Sequence, residues 1–588
     1  MAGTVADLST KFSQYSDSIG NKIGFLWNTW NTARQPKIQE WNELRNYIFS
    51  TDTSTTSNSA LPWKNKTTVP KLCQIRDNLH SNYISALFPN DHWFAWEGYS
   101  DDDATSGKVQ AITAYMSNKI IEGNMRDTAS DLLYDYIDYG MAFAMSDYED
   151  NTFTNDEGET LTGYVGPKAV RISPLDIVFN PLAVSFEKSP KIVRKMITIG
   201  EAKQLAVHDP KWDSALKRAI AARGYLMGLD RKDQSRVQAY QVDGFGSLVA
   251  YLGSDYIEVL TFYGDYYDQV TGEHGEHQEI VIIDRSITVS KGKIKNWTGK
   301  SNIASVVWRK RPDNLYGMGP LDNLVGMQYR LDHLENLKAD AQDLAVQPML
   351  KIKGDVNPFD WEPGGRIFLE GDGDVSELGT SLQGVMGAQN EIEMLKATME
   401  EMAGAPKQAM GIRTPGEKTA FEVQSLDNAA GRIFQEKTIN FEINVLEPLL
   451  NMMLADGRQN LNGLDIARVM DDDLGVEAFL EITKDDITAR GKLRPIGARH
   501  FSQQAQLVQN LNQLAMGGLM GLIAPHVSSI KLANLLQDAL QIGRFNIIRP
   551  NAAIAEQVQT QKLQAAAVEQ AQVEQSTPVP GTDPTGGQ

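Results

Sequence analysis

Between residues 318 and 346, Leu321, Leu324, Met327, Leu331, Leu334, Leu337, Ala341 and Leu344 recur at three- and four-residue steps. Arg330, Asp332, Glu335, Lys338, Asp340 and Asp343 occupy the remaining faces. This pattern predicts a charged helix with one apolar stripe, about 28 residues and roughly 40 Å long at 1.5 Å per residue. Such a stripe has to be covered. A second helix, expected over 388–403, could cover it within one chain as an ordinary helical hairpin. Copies of the same helix, packed side by side in a ring, would serve equally well. The pattern leaves both arrangements open.

The rest of the chain supplies the context for this rod. Up to about residue 145 the apolar spacing is helical, with helices around Leu26–Phe49, Pro70–Phe88 and Ala111–Met145. A Ser/Thr/Asn-rich loop (50–66) and an aromatic strand-like run (His92–Trp96) interrupt them. From Tyr164 to Arg311 the pattern shifts toward strands: Val170–Ile172 and Ile177–Phe179 on either side of Pro174, then Ile192–Ile199, Val237–Val242, Tyr256–Tyr263, Glu279–Asp284 and Ser305–Arg309. Residues 200–224 read as helix and Thr271–Gly275 as a hairpin tip. Tyr316-Gly317-Met318-Gly319-Pro320 is a sharp break, and Pro320 suits a first helical turn. A Gly/Asp/Pro-rich module with short strands such as Arg366–Leu369 fills 349–387. A polar loop spans 404–416. A long helix is expected over 417–454, with a kink near Pro448. Residues 457–545 read as mostly helical with short strands, Glu477–Ile482 foremost among them. Residues 551–575 form an Ala/Gln/Glu-rich helix with little to bury, and 576–588 a disordered tail. The fold class is α+β, predominantly helical, and a length of 588 residues is compatible with about four domains.

Charge narrows the function. With 56 Lys and Arg against 75 Asp and Glu, the formal net charge is −19. Neutralising phosphates requires cations, so a protein that simply coats DNA is excluded. A protein past which DNA must slide is not, because there adhesion would be a fault. The single cysteine, Cys73, excludes an intrachain disulfide and a four-cysteine zinc site. The first residues lack an apolar core of signal-peptide length. The longest apolar run, Leu514–Val527, is too short for a bilayer and contains Pro525 and His526. No export and no membrane partner are expected.

The catalytic lures fail on spacing. Gly292 to Ser301 ends in Gly-Lys-Ser, but Gly292 lies seven residues before Gly299 where a phosphate-binding loop needs five, and Ile294 stands where glycine belongs. Glu279–Asp284 resembles a strand ending in a magnesium-binding Asp, yet it precedes that loop; a buried strand and a turn explain it better. His274 and His277 beside Glu273, Glu276 and Glu279 read as an exposed hairpin tip rather than a chelate. Asp372 and Asp374 lack the ligand series of a calcium loop. Cys73 with His80 reads as a small thiol on a helix rather than a nucleophile and base. Asp101–Asp103 and Asp471–Asp473 read as solvated loops. No catalytic residue, metal or cofactor is expected, and the chain is not read as an enzyme.

Four ordered segments carry a resemblance. Leu79-His80-Ser81-Asn82-Tyr83-Ile84-Ser85-Ala86-Leu87-Phe88-Pro89 with Trp93-Phe94, Arg171-Ile172-Ser173-Pro174-Leu175-Asp176-Ile177-Val178-Phe179-Asn180-Pro181, Tyr316-Gly317-Met318-Gly319-Pro320-Leu321, and Gly416-Glu417-Lys418-Thr419-Ala420-Phe421-Glu422-Val423 together resemble the portal, or head-to-tail connector, proteins of tailed bacteriophages, in their short-tailed branch. The similarity spans about 20–510. It implies a ring, typically of twelve subunits, at one capsid vertex of the virion. The implied parts are a wing (1–315), stem helix 1 (316–354), clip (355–387), stem helix 2 (388–404), tunnel loop (405–416), long wing helix (417–455), crown (456–550), C-terminal helix (551–575) and tail (576–588). The implied partners are double-stranded DNA in transit, the terminase large subunit, tail adaptors, and major capsid and scaffolding proteins. Lys407, Gln408, Arg413 and Lys418 are the residues expected to touch DNA. Phe359, Trp361 and Arg366 are expected to bind clip partners, and Leu324, Leu331, Leu334 and Leu337 to pack between subunits. The alternative is a capsid or tail adaptor protein without a DNA channel.

Overall fold

The computed structural model describes residues 17–49, 65–89, 93–100, 106–154, 160–180, 182–223, 256–268, 272–294, 303–346, 349–354, 374–378, 382–404, 433–461, 465–470 and 477–496. The chain divides into two compact units, 1–469 with 479–498, and 470–478 with 499–588. Apart from residues 470, 477 and 478, the described residues belong to the first.

Its helices and strands follow the residue patterns closely in the N-terminal third. Helices α1 (Ser18–Ala33), α2 (Gln35–Phe49) and α3 (Lys71–Leu87) lead to strand β1 (Phe94–Gly98), then α4 (Ser106–Glu122) and α5 (Met125–Asp138). The helical periodicity read as far as Met145 stops at Asp138. Gly140, at φ +69°, turns the chain, and β2 (Met141–Thr154) begins. Strands β3 (Thr160–Ile172), β4 (Ile177–Phe179) and β5 (Lys191–Thr198) follow, then α6 (Ile199–His208) and α7 (Pro210–Arg223). Thr198 and Glu201 cap α6 reciprocally, Glu201 N–H donating to Thr198 Oγ1 at 3.1 Å and Thr198 N–H to Glu201 Oε2 at 2.7 Å. Strands β6 (Tyr256–Tyr267), β7 (His274–Ile283) and β8 (Ile287–Lys293) complete an antiparallel sheet of order β4-β5-β6-β7-β8.

Strand alternation gives that sheet two apolar faces. On one, Leu260, Phe262, Ile280 and Ile282 meet Ile23, Trp27 and Trp30 of α1. On the other, Ile257, Val259, Ile283, Ile287 and Val289 meet Ala202, Ala215, Leu216 and Ala219 of α6 and α7, mostly small residues that let helix approach sheet. Asp17 fastens α1 to β8 by accepting from Gly20 N–H, Thr288 N–H and Thr288 Oγ1 at 2.6–2.8 Å.

The corner between β3 and β4 explains the Ser173-Pro174-Leu175-Asp176 segment. Pro174 has no N–H, and the turn leaves carbonyls pointing inward. Buried Arg34 takes three of them: Nη1 donates to Pro174 O and Ile177 O at 2.7 Å, and Nη2 to Leu175 O at 2.5 Å. Arg194, also buried, donates to Asp176 Oδ1 at 2.8 and 3.0 Å. Both guanidinium groups lie over Trp27. Burial holds the Arg34 guanidinium down to about 10, so it stays charged at neutral pH.

Strands β9 (Ile303–Val307), β10 (Arg309–Arg311) and β11 (Asn314–Met318) come next. β9 joins β2 and β3 in a sheet of order β3-β2-β9. The Tyr316–Pro320 segment therefore ends strand β11 and makes a tight contact just before the helix begins. A Cβ on Gly319 would sit 2.6 Å from Ile137 O, and one on Gly140 2.3 Å from Gly319 N. A 3-10 turn (Asp322–Leu324) leads into α8 (Val325–Val346), a helix of 22 residues. Then come β12 (Met349–Lys353), β13 (Asp374–Leu378) and α9 (Leu382–Met402), which starts six residues before the expected second stem helix.

The long helix appears from 433 to 460 as α10. It is interrupted where a kink was expected. Pro448 has no N–H to return to the preceding turn, and Glu442–Leu446 widens into a π turn in which Glu447 N–H reaches Glu442 O. Beyond it the described residues are mainly strands: β14 (Asp465–Met470), then β15 (Glu477–Ile482) where a strand was expected, and β16 (Gly491–Pro495); a short turn of helix, α11 (Lys484–Ile487), lies before β16. β16 pairs antiparallel with β1, Phe94 opposite Pro495. The largest core gathers α3, α4, α5, α8, α9, α10 and β16 around Tyr83, Tyr115, Tyr136, Leu331, Phe441 and Leu493.

Replacing Arg34 by Met would strand three buried carbonyls. The R34M protein should lose about 3 kcal/mol or more of stability, read as a lower urea midpoint. R34K should lose nearly as much, because one ammonium cannot span the fork.

Candidate functional site

The part of the molecule with the least conventional build is the excursion between β11 and α10. The chain runs out along α8 and β12 and returns along β13 and α9. β12 and β13 pair antiparallel with Met349 opposite Leu378 and Lys353 opposite Asp374. Beside them α8 and α9 pack together, Leu331 and Leu334 joining Ile392 and Met399 in the main core. Arg330 donates to Glu391 at 2.9 Å, and Glu335 pairs with Lys338 at 2.5 Å and Lys396 at 3.7 Å. The result is a two-helix rod continued by a two-stranded ribbon.

The rod is fixed to the body by polar contacts. Residues 65–69 lie extended along α8, and the helix satisfies their backbone with side chains four residues apart. Gln328 Nε2 donates to Val69 O at 2.6 Å, and Val69 N–H donates to Asp332 Oδ1 at 2.9 Å. Thr67 N–H donates to Asn336 Oδ1 at 2.7 Å, and Asn336 Nδ2 to Thr67 O at 2.9 Å. Asn65 N–H and Nδ2 both donate to Asp340 Oδ1, at 2.9 and 2.8 Å. Four helical residues rise about 6 Å and two extended residues about 6.6 Å, so the two repeats stay in step over this length. Gln328, Asp332 and Asn336 are fully buried. Where the strap enters α3, buried Lys71 pairs with Glu400 of α9.

Two expectations about this rod change. Asp332, one of the charged residues off the apolar stripe, is inside. Leu324, Leu331 and Leu334, assigned to contacts between subunits, are already covered by their own chain, at 0–3% exposure. Leu337, at 37%, is open, as are Tyr329, Val346, Ile352, Met386, Met394 and Met402 around the rod and ribbon. Leu324, Leu331 and Leu334 are thus closed off within the chain, and the open apolar side chains of the rod lie on another, mixed face. The other candidate residues, Lys407, Gln408, Arg413 and Lys418 in the loop and Phe359, Trp361 and Arg366 in the clip, lie outside the described residues.

The lures resolve into structural roles where they are described. Glu279–Ile283 lies within β7, paired with β6 and β8, and Asp284 and Arg285 turn the chain with positive φ. His274 pairs across from Tyr267 at the start of β7, and His277 N–H donates to Asp265 Oδ1 at 2.9 Å. Cys73 Sγ reaches Asp77 at 3.8 Å, and burial pushes the thiol up from its ordinary value. His80 instead bonds Ser130 and stacks on Tyr134 with centroids 3.8 Å apart; burial lowers its proton affinity. Among the described residues, no group of three or more His, Cys, Asp or Glu could hold a metal ion, and no helix is long and apolar enough to cross a membrane. Residues 101–103, 295–300, 372 and 471–473 lie outside the described residues. No protein-family model matches the chain, and no curated protein matches it.

The difference between buried and open leucines is measurable. L331A should cost 2–5 kcal/mol, roughly the range for a filled core position. L337A should change stability by about 0.5 kcal/mol or less. Both are read from denaturation midpoints at a concentration where the chain does not assemble.

Proposed function

We propose that this chain is a tailed-phage portal protein. Copies close into a ring at one capsid vertex, through which double-stranded DNA is packaged and ejected. The observation that carries the reading is the rod and ribbon. An antiparallel helix pair, α8 with α9, leaves a mixed body and is extended by β12 and β13. A longer helix, α10, follows it in sequence. This sequence of elements supports the order of stem, clip, stem and long wing helix implied by the resemblance, with the first helix shorter than the 316–354 given to it, since β12 occupies Met349–Lys353. The body before it, helices with an antiparallel sheet, takes the place of the wing.

The charge supports the same reading. A chain at −19 makes an acidic assembly, and an acidic wall does not hold phosphates. A few loop cations, Lys407, Arg413 and Lys418, then guide a duplex without stopping it, each contact adding a weak, salt-dependent attraction. Hydrolysis of ATP belongs in this scheme to a separate terminase, which docks on the ribbon end before tail adaptors replace it. The chain itself works without cofactor or metal, first in the host cytoplasm and then in the virion.

Negative-stain microscopy of the purified full-length protein tests the proposal. Rings with a central hole wide enough for a duplex are expected. Monomers, dimers or solid particles at high concentration overturn it, and solid particles would favour the adaptor alternative. In rings, changing Lys407, Arg413 and Lys418 to Gln should leave assembly intact. The logarithmic slope of duplex retention against salt should then become shallower by about 0.9 for each phosphate no longer neutralised.

A further inference from the structure

The strap on α8 contains two buried oxygens that lack a partner. Gln328 and Asp332 are one turn apart, and Gln328 Nε2 already donates to Asp332 Oδ1 at 2.9 Å. The other oxygen of each group, Gln328 Oε1 and Asp332 Oδ2, is buried without a hydrogen-bond partner. Two acceptors cannot bond each other. A carboxylic acid and a carboxamide can, as a cyclic pair in which N–H donates one way and O–H the other. The Nε2–Oδ1 edge of such a pair is formed here.

We propose that the 65–69 strap is a proton-operated latch on α8, closed when a proton taken from solvent lets Asp332 Oδ2 donate to Gln328 Oε1, and loosened when that proton leaves. The same two side chains hold Val69 through both its N–H and its C=O. Ionising Asp332 therefore places a buried charge, compensated only by the bonds from Val69 N–H and Gln328 Nε2, beneath the residue that anchors the strap to α3. The latch acts on the root of the rod, and it holds whether or not copies of the chain form a ring.

The surroundings favour the neutral acid. Burial pushes the Asp332 carboxyl up to about 6, Glu335 on the same helix adds to this, and the bonds from Val69 N–H and Gln328 oppose it. Other charged or titratable groups on the packed elements are His333 and Lys338 on α8, Lys66 on the strap, Lys71 at the start of α3, Glu400 on α9, and Lys37 on α2 with its partner Asp322. None of these supplies a salt bridge to Asp332. Because the folded value lies above the ordinary 3.8, the closed strap binds the proton more tightly than the open one. Closure is strongest below pH 3.8 and weakens as pH rises through about 6.

Hydrogen–deuterium exchange of the full chain by mass spectrometry tests the latch. Intrinsic exchange is divided out, with β6 and β7 amides as internal reference. Protection of residues 65–70 should then fall about tenfold between pH 5 and pH 7, the ratio set by a value of about 6 closed and 3.8 open. In Asp332→Asn the new amide donates where the acid proton would, so protection at pH 7 should match that of the parent at pH 5 and stay flat. Asp135→Asn, which alters a different buried carboxyl raised to about 7, should leave the strap's slope unchanged. A flat profile in the parent overturns the proposal, as does a slope that survives in Asp332→Asn or vanishes in Asp135→Asn. If Asp332→Asn does not fold, the parent and Asp135→Asn profiles still decide.

Discussion

A backbone N–H or C=O taken out of water needs a partner, and the usual partner is another strand or the next helical turn. Residues 65–69 belong to neither a strand nor a helix. They lie against a helix, whose own backbone groups are already used. The helix answers with side chains: Gln328, Asp332, Asn336 and Asp340, spaced so that their amide and carboxylate heads meet every second residue of the strap. Apolar packing alone would tolerate a slip along the helix. Bonds between particular atoms do not, because a shift of one position leaves buried donors and acceptors empty. The register of α3 against α8 follows from this, and with it the direction in which the rod leaves the body.

The same logic recurs at a second place in the fold. The Pro174 corner leaves inward-facing carbonyls, and Arg34 from the α1–α2 junction collects three of them. A buried guanidinium is costly to desolvate, as its lowered value shows. Its donors offset that penalty because they sit in a fork that fits diverging carbonyls. The corner then carries β4 into the five-stranded sheet, whose two faces bury α1 on one side and α6 with α7 on the other. Polar anchoring sets the geometry in both places, and hydrophobic burial supplies the bulk of the stabilisation around it.

Local pattern made much of the fold legible. Helices α1 to α3 and strands β4 to β7 follow from periods of 3.6 and 2, and Pro174 and Pro448 announced a corner and a distortion through the missing N–H. The failures share one cause: the deciding partner was distant in sequence. β1 reads as a strand, but nothing local says that it pairs with β16 nearly four hundred positions later. Gly317 and Gly319 look like helix punctuation, yet they are small because Val307, Ile137 and Gly140 press against them. Asp332 and Asn336 look like solvated positions on a charged helix until the strap arrives. The one available signal was the repeat of amide and acid residues at 328, 332, 336 and 340, a four-residue polar period running beside the apolar one. Of the candidate site, the helix pair was legible; the strands of 349–387 were expected only as short runs, and the one named, Arg366–Leu369, falls outside the described residues with the loop and clip residues.

The covered stripe alters what a ring would require. If Leu324, Leu331 and Leu334 are used inside each chain, neighbouring rods must meet through faces that mix Tyr329, Leu337 and Met394 with half-exposed ion pairs such as Arg330–Glu391. Interfaces of that composition are wetter and weaker per unit area than a continuous leucine seam. Each added chain also brings a charge of −19, whose repulsion reaches about 8 Å at physiological ionic strength before it is screened. A ring built this way would draw its stability from many modest interfaces summed around a closed circle, because opening it at one place breaks one interface without freeing a subunit. Closure, more than the strength of any single interface, would then be what holds such a channel together.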